Sequence, residues 1–313
     1  MTLAFVFPGQ GSQAVGMGRE LSEAFATARH VFEEVDDALD QKLSQIMFEG
    51  PEETLVLTEN AQPALMAMSM AVMRVLSEEG NISLSDKAAF VAGHSLGEYS
   101  ALAAASALEL GDAARLLKLR GQSMQKAVPV GVGAMAAVMG AELDLVREIA
   151  TEAGAGQVCD VGNDNAPGQV VLSGDKAAVE RAVKIAGDKG VRRCIMLPVS
   201  APFHCALMKP AADVMEEALA DAQFSTPVVP VVANVTAEAV SDPAVICELL
   251  VRQVTEMVRW RECVLYMKAQ GVDTLIELGA GKVLGGLVRR IDKEMTGKSV
   301  QGPADIEDII KNI

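Results

Sequence analysis

The order of apolar and polar positions divides the chain into short strands and amphipathic helices. Residues 3–7 are an apolar run that ends in a glycine-rich loop, and residues 90–93 are a second run that leads into an Ala-rich stretch up to Leu108. Apolar runs that stop at Gly or Pro are typical of buried strands, and the spacing over residues 63–76 predicts a helix between them. Strands that alternate with helices favour an α/β fold with a mainly parallel sheet.

The pattern changes between residues 127 and 198. It predicts, in order, strand 134–139, helix 142–153, strand 157–161, polar loop 162–168, strand 169–173, a helix that starts at Asp175 and strand 191–197. This order of elements is that of a ferredoxin-like unit. We therefore expect a small ferredoxin-like domain at residues 127–198, inserted into a hydrolase-like α/β domain made of residues 1–126 and 199–313.

The alternation of strands and helices resumes after Pro198. It predicts helix 206–222, strand 227–234, a helix that begins at Pro243, strand 274–278 and a helix up to Lys293. Residues 297–313 carry little pattern, and we expect them to form a loosely docked tail.

Composition narrows the class of protein. The 313 residues correspond to about two domains at roughly 150 residues each. The net charge of −15, from 27 basic and 42 acidic residues, argues against nucleic acid and anionic membranes as partners. Five scattered cysteines with no CxxC pair fit a reducing compartment and offer no metal site. The expectation is a soluble cytoplasmic protein that binds no metal.

The first candidate for chemistry is the G-x-S-x-G sequence at residues 93–97, between a predicted strand and a predicted helix. Glycines on both sides allow a sharp turn that projects the Ser95 hydroxyl from the end of the strand. The N–H of Leu96 then points to where an oxyanion would form. The context favours a serine nucleophile over an ordinary glycine turn.

A serine nucleophile needs a base, and the chain has three histidines. His94 follows the strand directly and is expected to point away from the serine, and His30 lies among charged residues of a helix. His204 remains as the base candidate. No Asp or Glu stands out at a strand end between Ser95 and His204, which weakens the interpretation as a plain esterase with a three-residue triad.

Arg120 falls on the apolar side of a helix that starts near Asp112. A guanidinium that faces inward is costly unless an anion meets it. Two alternatives remain open at this point: an internal carboxylate, or a substrate carboxylate held by two parallel hydrogen bonds.

The loop at residues 8–14 contains the loose dinucleotide pattern G-x-G-x-x-A. Pro8 ahead of the first glycine, and Gly16 and Gly18 where a helix should continue, argue against that use. The loop is better placed to bring the N–H of Gln10 to the serine as a second oxyanion donor.

Taken together, these motifs resemble the malonyl-CoA:acyl carrier protein transacylases of bacterial fatty acid synthesis, and more widely the acyltransferase domains of polyketide synthases. The segments that carry the resemblance are Phe-Pro-Gly-Gln-Gly-Ser-Gln at 7–13, Gly-His-Ser-Leu-Gly-Glu-Tyr at 93–99, Leu-Arg-Gly-Gln-Ser-Met-Gln around Arg120, Pro-Val-Ser-Ala-Pro-Phe-His-Cys-Ala-Leu-Met at 198–208 and Val-Arg-Gln at 251–253. They occur in order over nearly the whole chain, and the tail after about Lys293 is unmatched.

The resemblance implies a ping-pong acyl transfer. Ser95 would be acylated by malonyl-CoA and deacylated by the phosphopantetheine thiol of acyl carrier protein. His204 would be the base and acid, oriented by the backbone carbonyl of Gln253 in place of a carboxylate.

The resemblance also assigns the remaining site residues and the partners. The N–H groups of Gln10 and Leu96 would form the oxyanion hole, and Arg120 would bind the free malonyl carboxylate. No cofactor is implied beyond the two substrates, malonyl-CoA and the phosphopantetheinylated carrier.

Three other functions stay open: a serine hydrolase such as a thioesterase, an acyltransferase of a polyketide pathway, and a catalytically silent carrier-binding module. Because both CoA and carrier proteins are acidic, docking requires a local basic patch. The candidates are Lys189, Arg192, Arg193, Arg289, Arg290 and Lys293, and the alternative is that these charges are scattered and solvated.

Overall fold

The computed structural model describes residues 2–199 and 201–313. The strands in this part of the chain are β1 (Leu3–Phe7), β2 (Ala88–Gly93), β3 (Gly133–Met139), β4 (Cys159–Ala166), β5 (Gln169–Asp175), β6 (Arg193–Met196), β7 (Val231–Val232), β8 (Ala239–Val240), β9 (Thr274–Leu278) and β10 (Thr296–Val300).

The helices surround two sheets. They are α1 (Arg19–Ala24), α2 (Ala26–Leu39), α3 (Leu43–Glu49), α4 (Glu52–Leu55), α5 (Thr58–Glu78), α6 (Leu84–Lys87), α7 (Gly97–Ala104), α8 (Leu110–Ala127), α9 (Leu143–Gly154), α10 (Lys176–Asp188), α11 (Lys209–Asp221), α12 (Pro243–Gln253), α13 (Trp260–Ala269), α14 (Val283–Ile291) and α15 (Pro303–Asn312). A 3₁₀ turn, Ala206–Met208, precedes α11.

The larger sheet has six strands in the order β10-β9-β1-β2-β7-β8. Its first five strands are parallel, and β8 at the edge is antiparallel to β7. All five residues of β1 are buried because it pairs with β2 on one side and β9 on the other. The predicted α/β fold with a mainly parallel sheet is confirmed.

The smaller sheet is antiparallel, with the strand order β4-β5-β3-β6. Apolar side chains of α9 and α10 pack with it into a separate hydrophobic cluster. The predicted order of strands and helices between residues 127 and 198 is therefore present.

The prediction of a polar loop at residues 162–168 is wrong. Residues 162–166 belong to β4, and the hairpin to β5 turns at residues 167–168. The polar residues of this strand meet protein groups instead of water: Asp164 N–H donates to the carbonyl of Val258 at 2.9 Å, and the Asp164 carboxylate pairs with Arg261. A strand with buried polar partners has no apolar alternation to reveal it.

The prediction of a loosely docked tail is also wrong. β10 pairs with β9, and the helix α15 that follows buries Ile306 and Ile309. The sequence of β10 has no clear apolar pattern because β10 is an edge strand whose polar side chains are half-buried. Gly297 is required there, since a Cβ at this position would lie 2.2 Å from the carbonyl oxygen of Gly285.

The predicted strand at residues 227–234 is confirmed only at Val231–Val232. Pro227 and Pro230 have no N–H to donate to a neighbouring strand, so regular pairing begins after them.

The carboxyl ends of β1, β2 and β7 lie side by side, and in open parallel sheets this is where ligands bind. Within the described residues, no helix is long and apolar enough to cross a membrane.

Candidate active site

Ser95 occupies a sharp turn between β2 and α7. Its φ angle is 53°, in the left-handed region. A Cβ at Gly93 would lie 1.8 Å from the carbonyl carbon of Gly97, and a Cβ at Gly97 would lie 2.3 Å from the carbonyl oxygen of Phe7. Only glycine fits at both positions, and the turn they allow places the serine at the carboxyl end of β2 beside the first turn of a helix.

The Ser95 hydroxyl begins a chain of hydrogen bonds through His204. Ser95 Oγ lies 2.8 Å from His204 Nε2, and His204 Nδ1 lies 2.8 Å from the carbonyl oxygen of Gln253. Because a carbonyl oxygen only accepts, Nδ1 carries the proton and Nε2 is left as the acceptor for the serine hydroxyl. This is the tautomer that a general base requires.

His204 is only 4% exposed. Burial, with a further contribution from the positive charge of Arg120, lowers the pKa of His204 to about 3. The imidazole is therefore neutral at neutral pH and can take up a proton from the serine.

Arg120 lies on α8 and is 1% exposed. Its Nη1 donates to Gln62 Oε1 at 2.8 Å, and its Nη2 donates to Gln253 Oε1 at 2.9 Å and to Ser95 Oγ at 3.2 Å. Nε is buried without a partner among the described residues. All three hydrogen-bond partners of this guanidinium are neutral, and within the described residues Arg120 forms no ion pair with a carboxylate. The alternative of an internal carboxylate is therefore not found there.

A cavity of about 650 Å³ joins these groups. Its lining includes Ser95, Arg120 and His204, the loop residue Gln10, and Leu96 at the start of α7. Asn163, Asn165, Val171 and Met135 contribute the wall from the smaller sheet. The cavity therefore lies between the two sheets, and every residue predicted for the site either lines it or contacts a residue that does.

The other two histidines lie outside the proton pathway. His94 points toward the smaller sheet, where its Nε2 donates to Asn165 Oδ1 at 2.8 Å, and burial lowers its pKa. His30 is exposed on α2. Within the described residues, no group of three or more His, Cys, Asp or Glu side chains could hold a metal ion.

Four polar residues of the site were not predicted from the sequence: Gln62, Glu98, Asn165 and Asn234. Gln62 and Asn165 contact Arg120 and His94, and Asn234 Oδ1 accepts from the N–H of Ser95 at 2.8 Å. Glu98 had a usable signal, since it is the only acid in the otherwise apolar and small-residue helix α7. Asn234 had a weaker one, because it follows a short apolar strand.

The family model for the acyl transferase domain matches residues 4–301. The chain belongs to the acyl transferase family. A malonyl CoA-acyl carrier protein transacylase of Bacillus subtilis is 43% identical over 312 residues, which cover 99% of this chain and 97% of the relative. The match extends past Lys293, so the expectation of an unmatched tail is wrong.

Solved structures of the acyl transferase family superpose closely on this chain. An acyl-carrier-protein-S-malonyltransferase of Bartonella henselae has 54% identity and a TM-score of 0.97, with 99% of both chains covered. A type II PKS acyl-carrier protein in complex with its malonyl-transacylase gives 42% identity and a TM-score of 0.97, with both chains covered completely.

Proposed function

We propose that this acyl transferase moves the malonyl group of malonyl-CoA to the phosphopantetheine thiol of acyl carrier protein, through a malonyl ester on Ser95. The observation that carries the proposal is that one oxygen, Ser95 Oγ, lies 2.8 Å from a neutral imidazole and 3.2 Å from a buried guanidinium. The first arrangement suits a nucleophile, and the second suits an acyl group that ends in a carboxylate. The names of the relatives support the same substrates.

In the first half-reaction, Ser95 Oγ attacks the thioester carbonyl carbon while His204 Nε2 takes the hydroxyl proton. The Gln253 carbonyl stabilises the imidazolium through Nδ1–H. The N–H groups of Gln10 and Leu96 would hold the oxyanion. As the tetrahedral intermediate collapses, the C–S bond breaks and His204 returns the proton to the departing CoA sulfur.

The second half-reaction runs the same steps with a different thiol. The carrier's phosphopantetheine sulfur gives its proton to His204 Nε2 and attacks the ester carbonyl. When the ester C–O bond breaks, His204 protonates Ser95 Oγ and the free enzyme is restored. The chemistry uses two side chains and backbone groups, and no cofactor enters it.

Arg120 would bind the free carboxylate of the malonyl group. Its bonds to Gln253 Oε1 and Ser95 Oγ are to neutral acceptors, and a carboxylate oxygen is a stronger one. Two parallel N–H···O bonds would fix the acyl group with its carbonyl over Ser95. Selectivity for malonyl over neutral acyl groups follows from this contact.

We also propose that the chain consists of a small ferredoxin-like domain at residues 127–198 inserted into a hydrolase-like domain, residues 1–126 and 199–313. The support is the strand order of the smaller sheet and its separate hydrophobic cluster. The active site would then lie in the cleft between the two domains.

The decisive experiment mixes the protein with malonyl-CoA and purified holo-carrier and weighs both proteins by intact mass spectrometry. We expect a malonyl adduct on the enzyme and then on the carrier, and no adduct on the Ser95→Ala variant. Free malonate with no malonyl-carrier would favour the hydrolase, and a malonyl adduct that persists in the variant would exclude Ser95 as the nucleophile.

A further inference from the structure

Glu98 is a buried acid in the first turn of α7, directly after the nucleophile turn. It is 2% exposed, and none of the proposed catalytic steps uses it. Its neighbours along the helix are apolar or small, and an ionisable group in such surroundings is costly unless it is hydrogen-bonded. The contacts it makes therefore need an explanation.

A single oxygen of Glu98 accepts two hydrogen bonds. Oε2 lies 2.9 Å from the backbone nitrogen of Asn234 and 3.0 Å from Nε2 of Gln253. Both donors are completely buried. Glu98 thus joins the end of β7 to the end of α12, two segments that meet beneath the serine.

Asn234 and Gln253 in turn hold both backbone groups of Ser95. Asn234 Oδ1 accepts from Ser95 N–H at 2.8 Å, and Gln253 Nε2 donates to the Ser95 carbonyl oxygen at 3.0 Å. Asn234 Nδ2 also donates to the Gly93 carbonyl at 2.7 Å. The left-handed conformation of Ser95 is therefore fixed by the same two residues that Glu98 contacts.

The side chain of Gln253 also sets the position of Arg120. Its Nε2 faces three acceptors, on Ser95, Glu98 and Asn234, whereas its Oε1 accepts from Arg120 Nη2 at 2.9 Å. With one end among acceptors and the other beside a donor, the amide has one orientation. The backbone carbonyl of this same residue holds His204.

We propose that Glu98 is a positioning residue for acyl transfer: its Oε2, through Asn234 and Gln253, sets the relative placement of Ser95, His204 and Arg120. This inference rests on the acyl transfer proposed above. The position of the oxygen is what matters, because both hydrogen bonds end on it. A glutamine can place an amide oxygen at the same position. An aspartate is one methylene shorter, so its oxygens lie farther from both donors.

The test compares three variants, Glu98→Gln, Glu98→Asp and Glu98→Leu, with Ser100→Ala as the control. Ser100 lies on the same helix, is fully buried and has a hydroxyl without a partner among the described residues. The measured quantity is the single-turnover rate of Ser95 acylation by malonyl-CoA, per folded molecule as determined by circular dichroism. Misplacement of reacting groups by about 1 Å costs on the order of 100-fold in rate.

We therefore expect Glu98→Asp and Glu98→Leu to acylate roughly 100-fold more slowly, with Glu98→Gln within about tenfold of the wild type and the control unchanged. A purely structural role would lower the melting temperature of the variants but leave the rate per folded molecule unaltered. If Glu98→Leu does not fold, the acylation rates of the Gln and Asp variants, compared with each other, still test the proposal.

Wild-type rates in folded Glu98→Asp would overturn the proposal, as would a Gln variant slower than the Asp variant. The rate at which a fluorophosphonate probe labels Ser95 separates this question from the proposed function. If wild-type protein takes no malonyl group but the labelling rates keep the expected order, the acyl transfer is wrong and the positioning role of Glu98 stands. If wild-type protein is malonylated and no variant differs from it, Glu98 is excluded.

Discussion

At the scale of single residues, the two proposed catalytic side chains both sit on a strained backbone. The φ angles of Ser95 and His204 are 53° and 58°. A non-glycine residue in the left-handed region costs about 1–2 kcal/mol, so tertiary contacts must hold it. For Ser95 these contacts are with Asn234 and Gln253, and for His204 the ring is fixed by the Gln253 carbonyl.

Arg120 provides the prediction at this scale. Arg120→Ala should reduce malonyl transfer far more than acetyl transfer, because acetyl has no carboxylate for the guanidinium to hold. Hydrogen bonds to a charged group contribute about 1.5–3 kcal/mol, which corresponds to roughly 10- to 150-fold in kcat/KM. The measurement is kcat/KM for malonyl-CoA and acetyl-CoA with a common carrier.

Arg115→Ala is the matched control for Arg120. It lies on the same helix but is exposed, where it pairs with Asp112. We expect both acyl groups to be transferred by this variant at the wild-type rate. An equal fall for malonyl and acetyl in Arg120→Ala would show that the arginine supports the fold and has no part in selectivity.

Site residues whose chemistry is unusual at their position could be predicted from the sequence. Ser95 within its glycine turn and Arg120 on an apolar stripe are of this kind. In the structure Ser95 Oγ contacts both His204 and Arg120. Asn234 and Gln62 could not be found in this way, because an amide in a loop or helix is ordinary until its tertiary partner is known. Their significance lies in contacts with residues far away in the chain.

At the scale of elements, strands with apolar faces were predictable and strands with polar partners were not. The bounds of β1 and β9 agree with the apolar runs because both strands are buried on both faces. The second half of β4, residues 162–166, and all of β10 were missed because polar contacts to α13 and β9 replace apolar alternation. The apolar pattern of a single sequence identifies strands with buried apolar side chains. It does not identify a strand whose polar side chains are paired with other elements.

The contact between β4 and α13 makes a prediction about stability. Asp164 is 1% exposed, and Arg261 Nε lies 2.8 Å from its Oδ2. Arg261→Ala leaves a buried carboxylate without its counter-ion, and removal of one member of a buried pair costs about 3 kcal/mol. The free energy of unfolding in urea is expected to fall by roughly this amount.

Lys209→Ala is the control for this change. Lys209 pairs with Asp213 on the surface of α11, where both side chains are more than half exposed. Surface pairs of this kind contribute about 0–1 kcal/mol. Similar losses in the two variants would mean that the Asp164–Arg261 pair has no special part in joining the smaller sheet to the larger one.

At the scale of the whole molecule, the net charge of −15 opposes the approach of an acidic carrier. Exposed basic residues between the end of α10 and the start of β6, and at and just after the end of α14, are a local exception to this charge. Arg290 on α14 contacts Gln169 at the start of β5. These residues lie on both sides of the boundary between the two sheets.

The corresponding prediction concerns a double charge reversal. In Arg192→Glu/Arg290→Glu, transfer of malonyl from the preformed malonyl-enzyme to limiting carrier should slow at least ~30-fold at low salt. Loss of two close charge pairs at about 1 kcal/mol each corresponds to ~30-fold, and the introduced carboxylates add repulsion. The difference should largely vanish in about 1 M salt, where charges are screened within about 3 Å. Arg29→Glu/Arg115→Glu carries the same change in net charge, and equal slowing in that variant would place the docking surface elsewhere.

The position of β1 has a consequence for how the protein is made. The ribosome releases β1 long before one of its two neighbours, β9, which ends at Leu278, and before Gln253, whose carbonyl holds His204. At roughly 5–20 residues per second, the interval is on the order of tens of seconds. During that time the nascent chain has an open sheet edge and a serine with no base. Activity therefore requires that Gln253 and β9 have been synthesised, and until then the open sheet edge is what a ribosome-bound chaperone would need to cover.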